Sequence, residues 1–204
     1  MPEKRVIDPT AVEATDAYKL LIGLVVPRPI GWIGTVDAEG ARNLAPFSFF
    51  NAVAATPPTV MFSPLTSQGA EKDTLRNVKA TGEFTVNMVS DDLAEAMNAT
   101  SGRYPPEVDE FALAGLTAVE GVVVAAPMVA EARANLECRV TRLVPVGRPP
   151  MDATLVIGEV VAFHVREDLL DGTRVDQAGL DLIGRMGGPN YTRTRDTFGM
   201  ERPG

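Results

Sequence analysis

Short β-rich runs, each bounded by turn residues, dominate the pattern of apolar and polar positions. IGWIGTV reads as a strand and leads into DAEG, a turn where Gly40 can supply a positive φ. RNLAPFSFF and TVMFSP follow as β-rich pieces separated by the Thr56-Pro57-Pro58 break, which predicts a hairpin followed by a third antiparallel strand. GEFTVNMVS alternates as another strand should. In the second half, GVVVAAPMV, ANLECRVTRLVPV and TLVIGEVVAFHV return to β patterning, the last one long, apolar and β-branched like a central barrel strand. Helical spacing is confined to short pieces. DAYKLLIGL (16–24) suits a helix that Pro27 and Pro29 must end. A polar loop over 66–80 leads to a second helix near Asp73 or Thr74, DDLAEAMN (91–98) has an acidic start that complements a helix dipole, and DEFALAGL (109–116) offers a further turn. Arg103 to Glu110 reads as a proline-broken loop. From Gly184 onward the chain is rich in Gly and Arg with little periodicity, so residues 184–204 are expected to hang free or to cross to a partner subunit. The sum predicts a mostly β fold, an antiparallel barrel with peripheral short helices, in one domain over 1–204.

Composition narrows the function. At 204 residues and 45% hydrophobic, the chain can bury a real core. A formal net charge of −8 argues against nucleic acid and against an anionic membrane surface. Cys138 is the only cysteine, so no intramolecular disulfide forms, and its β-like setting predicts a buried, inert thiol. MPEKRVIDPT has no apolar signal region, and no apolar run reaches the roughly 18 residues that would span a bilayer. The expected setting is the cytoplasm.

Familiar catalytic signals are missing. There is no phosphate P-loop and no G-x-G-x-x-G between a strand and a helix, and one histidine with one cysteine makes no typical zinc site, so no metal is expected. What remains is a cradle pattern between Pro27 and Pro64, which holds the only tryptophan and four of the eight phenylalanines. A flavin needs backbone donors and acceptors along its pyrimidine edge, cover on a ring face, and hydroxyls, amides and a cation round its phosphate. NLAPFSFFN suits the ring, because Pro46 interrupts strand pairing and frees backbone groups. SPLTSQGAEKDT suits the phosphate through Ser63, Ser67, Lys72 and Thr74, although a hydroxyl-rich loop is more often only a loop.

The order of these segments is similar to that of the flavin reductase-like family of FMN-binding split barrels, in the branch with flavoredoxin and the reductase components of two-component monooxygenases. The resemblance rests on PRPIGWIGT, NLAPFSFFNAV with its TPP, KDTLRN running into GEFTVN, DEFALAGL, LECRV and LVIGEVVAFHV, and extends to the ending RMGGPNY through DTFGMERP. It implies a homodimeric split barrel binding FMN near the subunit interface, with NAD(P)H as electron donor and a flavin-dependent monooxygenase component as a candidate partner. Carried over residue by residue, Trp32 lies over or beside the isoalloxazine, and Ala45, Pro46, Phe47 and Ser48 line the ring. Ser63, Ser67, Lys72, Asp73 and Thr74 gather round the phosphate, Asp73 through its backbone N–H. Arg28 is either a further anion contact or part of a structural ion pair. One departure concerns His164. Some flavin reductases carry a nicotinamide-contacting histidine before the strand matching LVIGEVV, where this chain reads MDAT; His164 comes after it, as a strand-end or interface residue. The resemblance implies hydride transfer from NAD(P)H to bound FMN, or alternatively an FMN-binding electron carrier with no nicotinamide site of its own.

Overall fold

The computed structural model describes residues 2–66 and 70–203, and its main sheet has seven strands. They are β1 (Gly31–Val36), β2 (Arg42–Phe47), β3 (Phe50–Ala55), β4 (Pro58–Phe62), β5 (Glu83–Met88), β6 (Ala134–Val146) and β7 (Ala153–Val165), all paired antiparallel in the order β2-β1-β5-β6-β7-β4-β3. The two end strands, β2 and β3, are joined by only Ser48 and Phe49. A flat sheet of this width separates its edges by about 29 Å, whereas such a link reaches at most about 10 Å. The sheet therefore curls until its edges meet, and the barrel is closed there by the covalent chain. This is the mostly β, split-barrel architecture expected from the sequence.

The Pro27–Pro64 stretch makes two hairpins at opposite edges of the sheet, which corrects the expected hairpin plus third strand. β4 pairs with β3 and β7, never with β1 or β2, and Thr56-Pro57 forms the turn of the second hairpin. A second correction concerns GVVVAAPMV, where only Met128–Val129 is strand. Glu137 on β6 explains it. Its buried carboxylate accepts the N–H groups of Val122, Val123 and Val124 at 2.7–3.0 Å, which draws that segment away from a ladder.

Helices cover the barrel. They are α1 (Ala14–Leu24), α2 (Asp73–Thr81), α3 (Ala94–Ala99), α4 (Glu110–Leu113) and α5 (Gln177–Leu180). Two apolar clusters divide the core. Ile33, Phe47, Phe62, Phe84, Val86 and Cys138 fill the barrel with Leu75 and Val78 of α2, and burial pushes the Cys138 thiol pKa up. On the opposite face of β1, Trp32 joins Ile30, Leu44, Met97 and Phe111 beneath α3 and α4. The alternation of β1 sends adjacent residues Trp32 and Ile33 into different cores.

As far as Arg195 the ending packs against its own chain. Ile183–Arg185 pairs with Tyr191–Arg193 as a hairpin. That hairpin bridges Arg28 through Arg185, and Arg193 and Arg195 pair with Asp91 while Arg195 also holds Asp181.

Candidate functional site

Edge strand β2 decides where a ligand can lie. The N–H of Leu44 donates to the carboxylate of Glu110, away from β1, so alternation turns the main-chain groups of Leu44, Pro46 and Ser48 outward. Pro46 has no N–H to leave unpaired there, which suits an edge. Two clefts open beside this strand. One, of about 340 Å³, is lined by Ala45, Lys72, Thr74, Arg103 and Tyr104 together with others. The second, of about 250 Å³, is lined by Arg28, Pro46, Ser48, Tyr18, Arg185 and Tyr191 with others. Met97 and Asn98 of α3 face the second cleft while Thr100, Gly102 and Arg103 just beyond face the first, so one wall serves both.

The first cleft has an anion-binding corner. Helix geometry leaves the amides of Asp73 and Thr74, at the start of nine-residue α2, without intrahelical acceptors. The Thr74 side chain is buried and its Oγ1 accepts from Asn43 at 3.0 Å, so its own proton remains to be donated. Asn43 and Asn77 both donate to Thr35 behind it, which fixes the orientation. Lys72 stands 5.9 Å over the Phe47 ring. Desolvation and the neighbouring Arg103 lower its pKa, against the opposite pull of Asp73. The carboxylates are engaged elsewhere: Asp73 with Arg76, and Glu71 with Lys79. Burial raises the pKa of Glu110, with the Leu44 hydrogen bond opposing. Two cations held beside helix amides favour an anion.

The structure therefore brings Ala45, Lys72, Asp73 and Thr74 to one cleft, and Arg28, Pro46 and Ser48 to the other. Phe47 turns its side chain into the barrel core, where the ring lies beneath Lys72. Ser63 is not among the cleft residues; it follows β4, with its N–H on the Phe49 carbonyl at 2.8 Å. Ser67 lies outside the described residues.

Trp32 needs correction. It is 0% exposed and its indole N–H donates to Thr100 at 2.8 Å, so it supports the wall of the site from within and does not cover a ligand. Arg28 needs another, being neither half of an ion pair nor an open anion receptor. Buried, it spends its N–H groups on the carbonyls of Ile22, Val25 and Met186 and on Ser48 Oγ, tying α1, β2 and the C-terminal hairpin together. His164 is the next-to-last residue of β7, the strand-end position expected, and its Nε2 meets Glu137 at 2.6 Å. Sequence reading missed Arg103, Tyr104, Glu110, Arg185 and Tyr191. The proline-broken loop and the Arg-rich ending were visible signals, but nothing local told that they fold back onto β2.

The family model of the flavin reductase like domain matches residues 23–179. The chain belongs to the flavin reductase-like family. This flavin reductase-like chain is similar to nitrilotriacetate monooxygenase component B from Bacillus cereus, at 38% identity and a TM-score of 0.94, covering 98% of this chain and 100% of that one. It is also similar to a 2-nitrobenzoate 2-nitroreductase from Pseudomonas fluorescens, at 30% identity and a TM-score of 0.88, covering 98% and 96%. An uncharacterized protein of Aquifex aeolicus is 43% identical over 187 residues, 89% of this chain and 93% of that protein. The family is flavin-binding and its fold goes with oxidoreductase chemistry. Among the described residues of this flavin reductase-like chain, no helix is long and apolar enough to cross a membrane.

A flavin mononucleotide fits the residues present. The corner formed by Lys72, Arg103, the Thr74 hydroxyl and the first amides of α2 has the donor chemistry for a phosphate. The outward edge at Pro46 and Ser48 has main-chain groups for a polar ring edge.

Proposed function

We propose that this chain is an NAD(P)H-dependent flavin oxidoreductase that binds FMN along the outer edge of β2 and supplies electrons to a monooxygenase or another acceptor. One observation carries the reading: the cationic corner at the start of α2 opens beside the outer edge of β2. When bound, the flavin supplies an acceptor for the nicotinamide hydride. The chain's own part is binding and orientation. Lys72, Arg103, Thr74 and the first amides of α2 hold the phosphate, Asp73 contributing its N–H. Pro46 and Ser48 present main chain to the ring, Ala45 and Phe47 flank it on the same strand, and Arg28 holds Ser48 in place. Hydride transfer to a flavin requires no protein acid or base.

Likeness to a monooxygenase component supports a monooxygenase partner. We read the whole chain as one domain, with 184–204 a C-terminal extension, working as a cytoplasmic homodimer. A second reading, an FMN-binding carrier without a nicotinamide site, draws on one observation: His164, the sole histidine, is engaged by Glu137 and lines neither cleft. Stopped-flow spectroscopy of the FMN-loaded protein under anaerobic conditions separates the two. Bleaching of the flavin band by NADH or NADPH is expected; no bleaching with either, but rapid reduction by a protein donor, would establish the carrier.

A further inference from the structure

We infer that Arg185, stacked on Tyr191 at the mouth of the cleft beside Pro46 and Ser48, binds the pyrophosphate of the nicotinamide nucleotide that delivers the hydride. The inference rests on the reductase reading above and adds to it a donor-binding residue. The lining of this cleft includes Arg28, Arg185, Tyr18 and Tyr191 but no carboxylate, in a chain whose net charge is −8. Its character calls for an anion with an aromatic part.

Arg28 cannot be the main receptor, because three backbone carbonyls and Ser48 already take its donors. Arg185 is differently placed. Its guanidinium lies 4.5 Å from the Tyr191 ring centroid, and one N–H goes to the Gly188 carbonyl at 2.7 Å. Its other side-chain N–H groups have no protein acceptor among the described residues, and a planar fork is the group suited to phosphate oxygens. The stack is held rigidly. Arg28 and Arg185 exchange backbone hydrogen bonds at 2.8–2.9 Å, and the Tyr191 hydroxyl reaches Asn98 at 3.4 Å. The hairpin thus hangs one open cation over the outward main chain of β2, apart from the phosphate corner at Lys72. A nucleotide whose phosphates sit on Arg185 can place its nicotinamide in the cleft.

The test compares two hydride donors on FMN-loaded protein: NADH, and dihydronicotinamide riboside, which carries the same ring with no phosphate. In Arg185→Met the preference for NADH over the riboside, as a ratio of kcat/KM, is expected to fall at least about tenfold, through KM for NADH. Calorimetric binding of NAD⁺ to the same protein should weaken by a similar factor. Tyr191→Leu, which removes the stacking surface, should shift the ratio the same way, and Arg185→Lys, the gentlest change to the fold, should fall between. An unchanged donor ratio in the variants, with the wild type active, overturns this inference and leaves the reductase reading standing. A wild type inert toward both donors overturns both.

Discussion

Lys72 and Thr74 put the anion site to its most direct test, because they act by different means. Lys72 brings charge from the cleft wall, while buried Thr74 brings one oriented proton backed by Asn43. Lys72→Ala combined with Thr74→Val, which keeps the shape of the buried side chain, is expected to weaken FMN binding in a fluorescence titration. Each charge-assisted contact is worth about 1.5–3 kcal/mol, so an unchanged Kd moves the phosphate elsewhere. Glu137 makes a separate claim about stability. Burial alone would raise its pKa, but the N–H groups of Val122, Val124 and Val123 together with His164 hold it down, from 4.5 to about 2. A carboxylate depressed on folding stabilises the protein above its unfolded pKa, and that stabilisation is lost as pH falls through the folded one. Glu137→Gln is therefore expected to lower the urea midpoint at pH 7, corresponding to a stability loss on the order of 2 kcal/mol. Its gap to the wild type should close between about pH 5 and pH 2; parallel curves across that window would assign the stability elsewhere. At this scale residue types were legible and directions were not. Trp32 and Arg28 stand in the right segment, yet one faces the outer core and the other is used up by carbonyls, because both outcomes depend on helices and a hairpin distant in sequence.

Among elements, the strands with sustained patterns were the easiest to read. ANLECRVTRLVPV coincides with β6, and TLVIGEVVAFHV fills β7 between β6 and β4, the central place its β-branched run suggested. GVVVAAPMV failed because one carboxylate on another strand outbids the ladder for its amides, and no local pattern reports that. Helix α2 shows what local signals do carry. It starts where Asp73 was expected and stops at Gly82, which sits at φ 71° in the left-handed region with its N–H on the Val78 carbonyl. A Cβ there would meet nothing within 4 Å, so the cost of a side chain is conformational alone. Gly82→Ala is expected to destabilise by about 1 kcal/mol, read as a lower denaturant midpoint with an unchanged slope. A change in slope, or no loss at all, would mean that the turn adopts another closure.

For the molecule as a whole, the barrel accounts for β1 to β7, α2 and the two clefts, but holds α1 mainly through Arg28 and leaves most of its apolar face uncovered. That helix has eleven residues and none of them is buried, with Leu21 52% and Leu24 79% exposed. An isolated helix shorter than about 12–15 residues is marginal in water, so α1 needs a covering surface. Edge strand β3 is similarly open, with Asn51–Ala55 exposed and Val53 at 50%. Free edges and apolar helix faces of this kind are what proteins cover. A second copy of the chain is the economical cover, and α1 gives it a functional consequence, since Tyr18 and Ile22 wall the cleft beside Pro46 and Ser48. Sedimentation of the wild type is expected to give twice the chain mass. Leu21→Glu combined with Leu24→Glu should give a monomer with less helix by circular dichroism and weaker FMN binding, because the cleft loses a fixed wall. In a protein that works as a monomer both leucines already face water, and charges there would change neither mass nor affinity; that result would remove the dimer from the proposal.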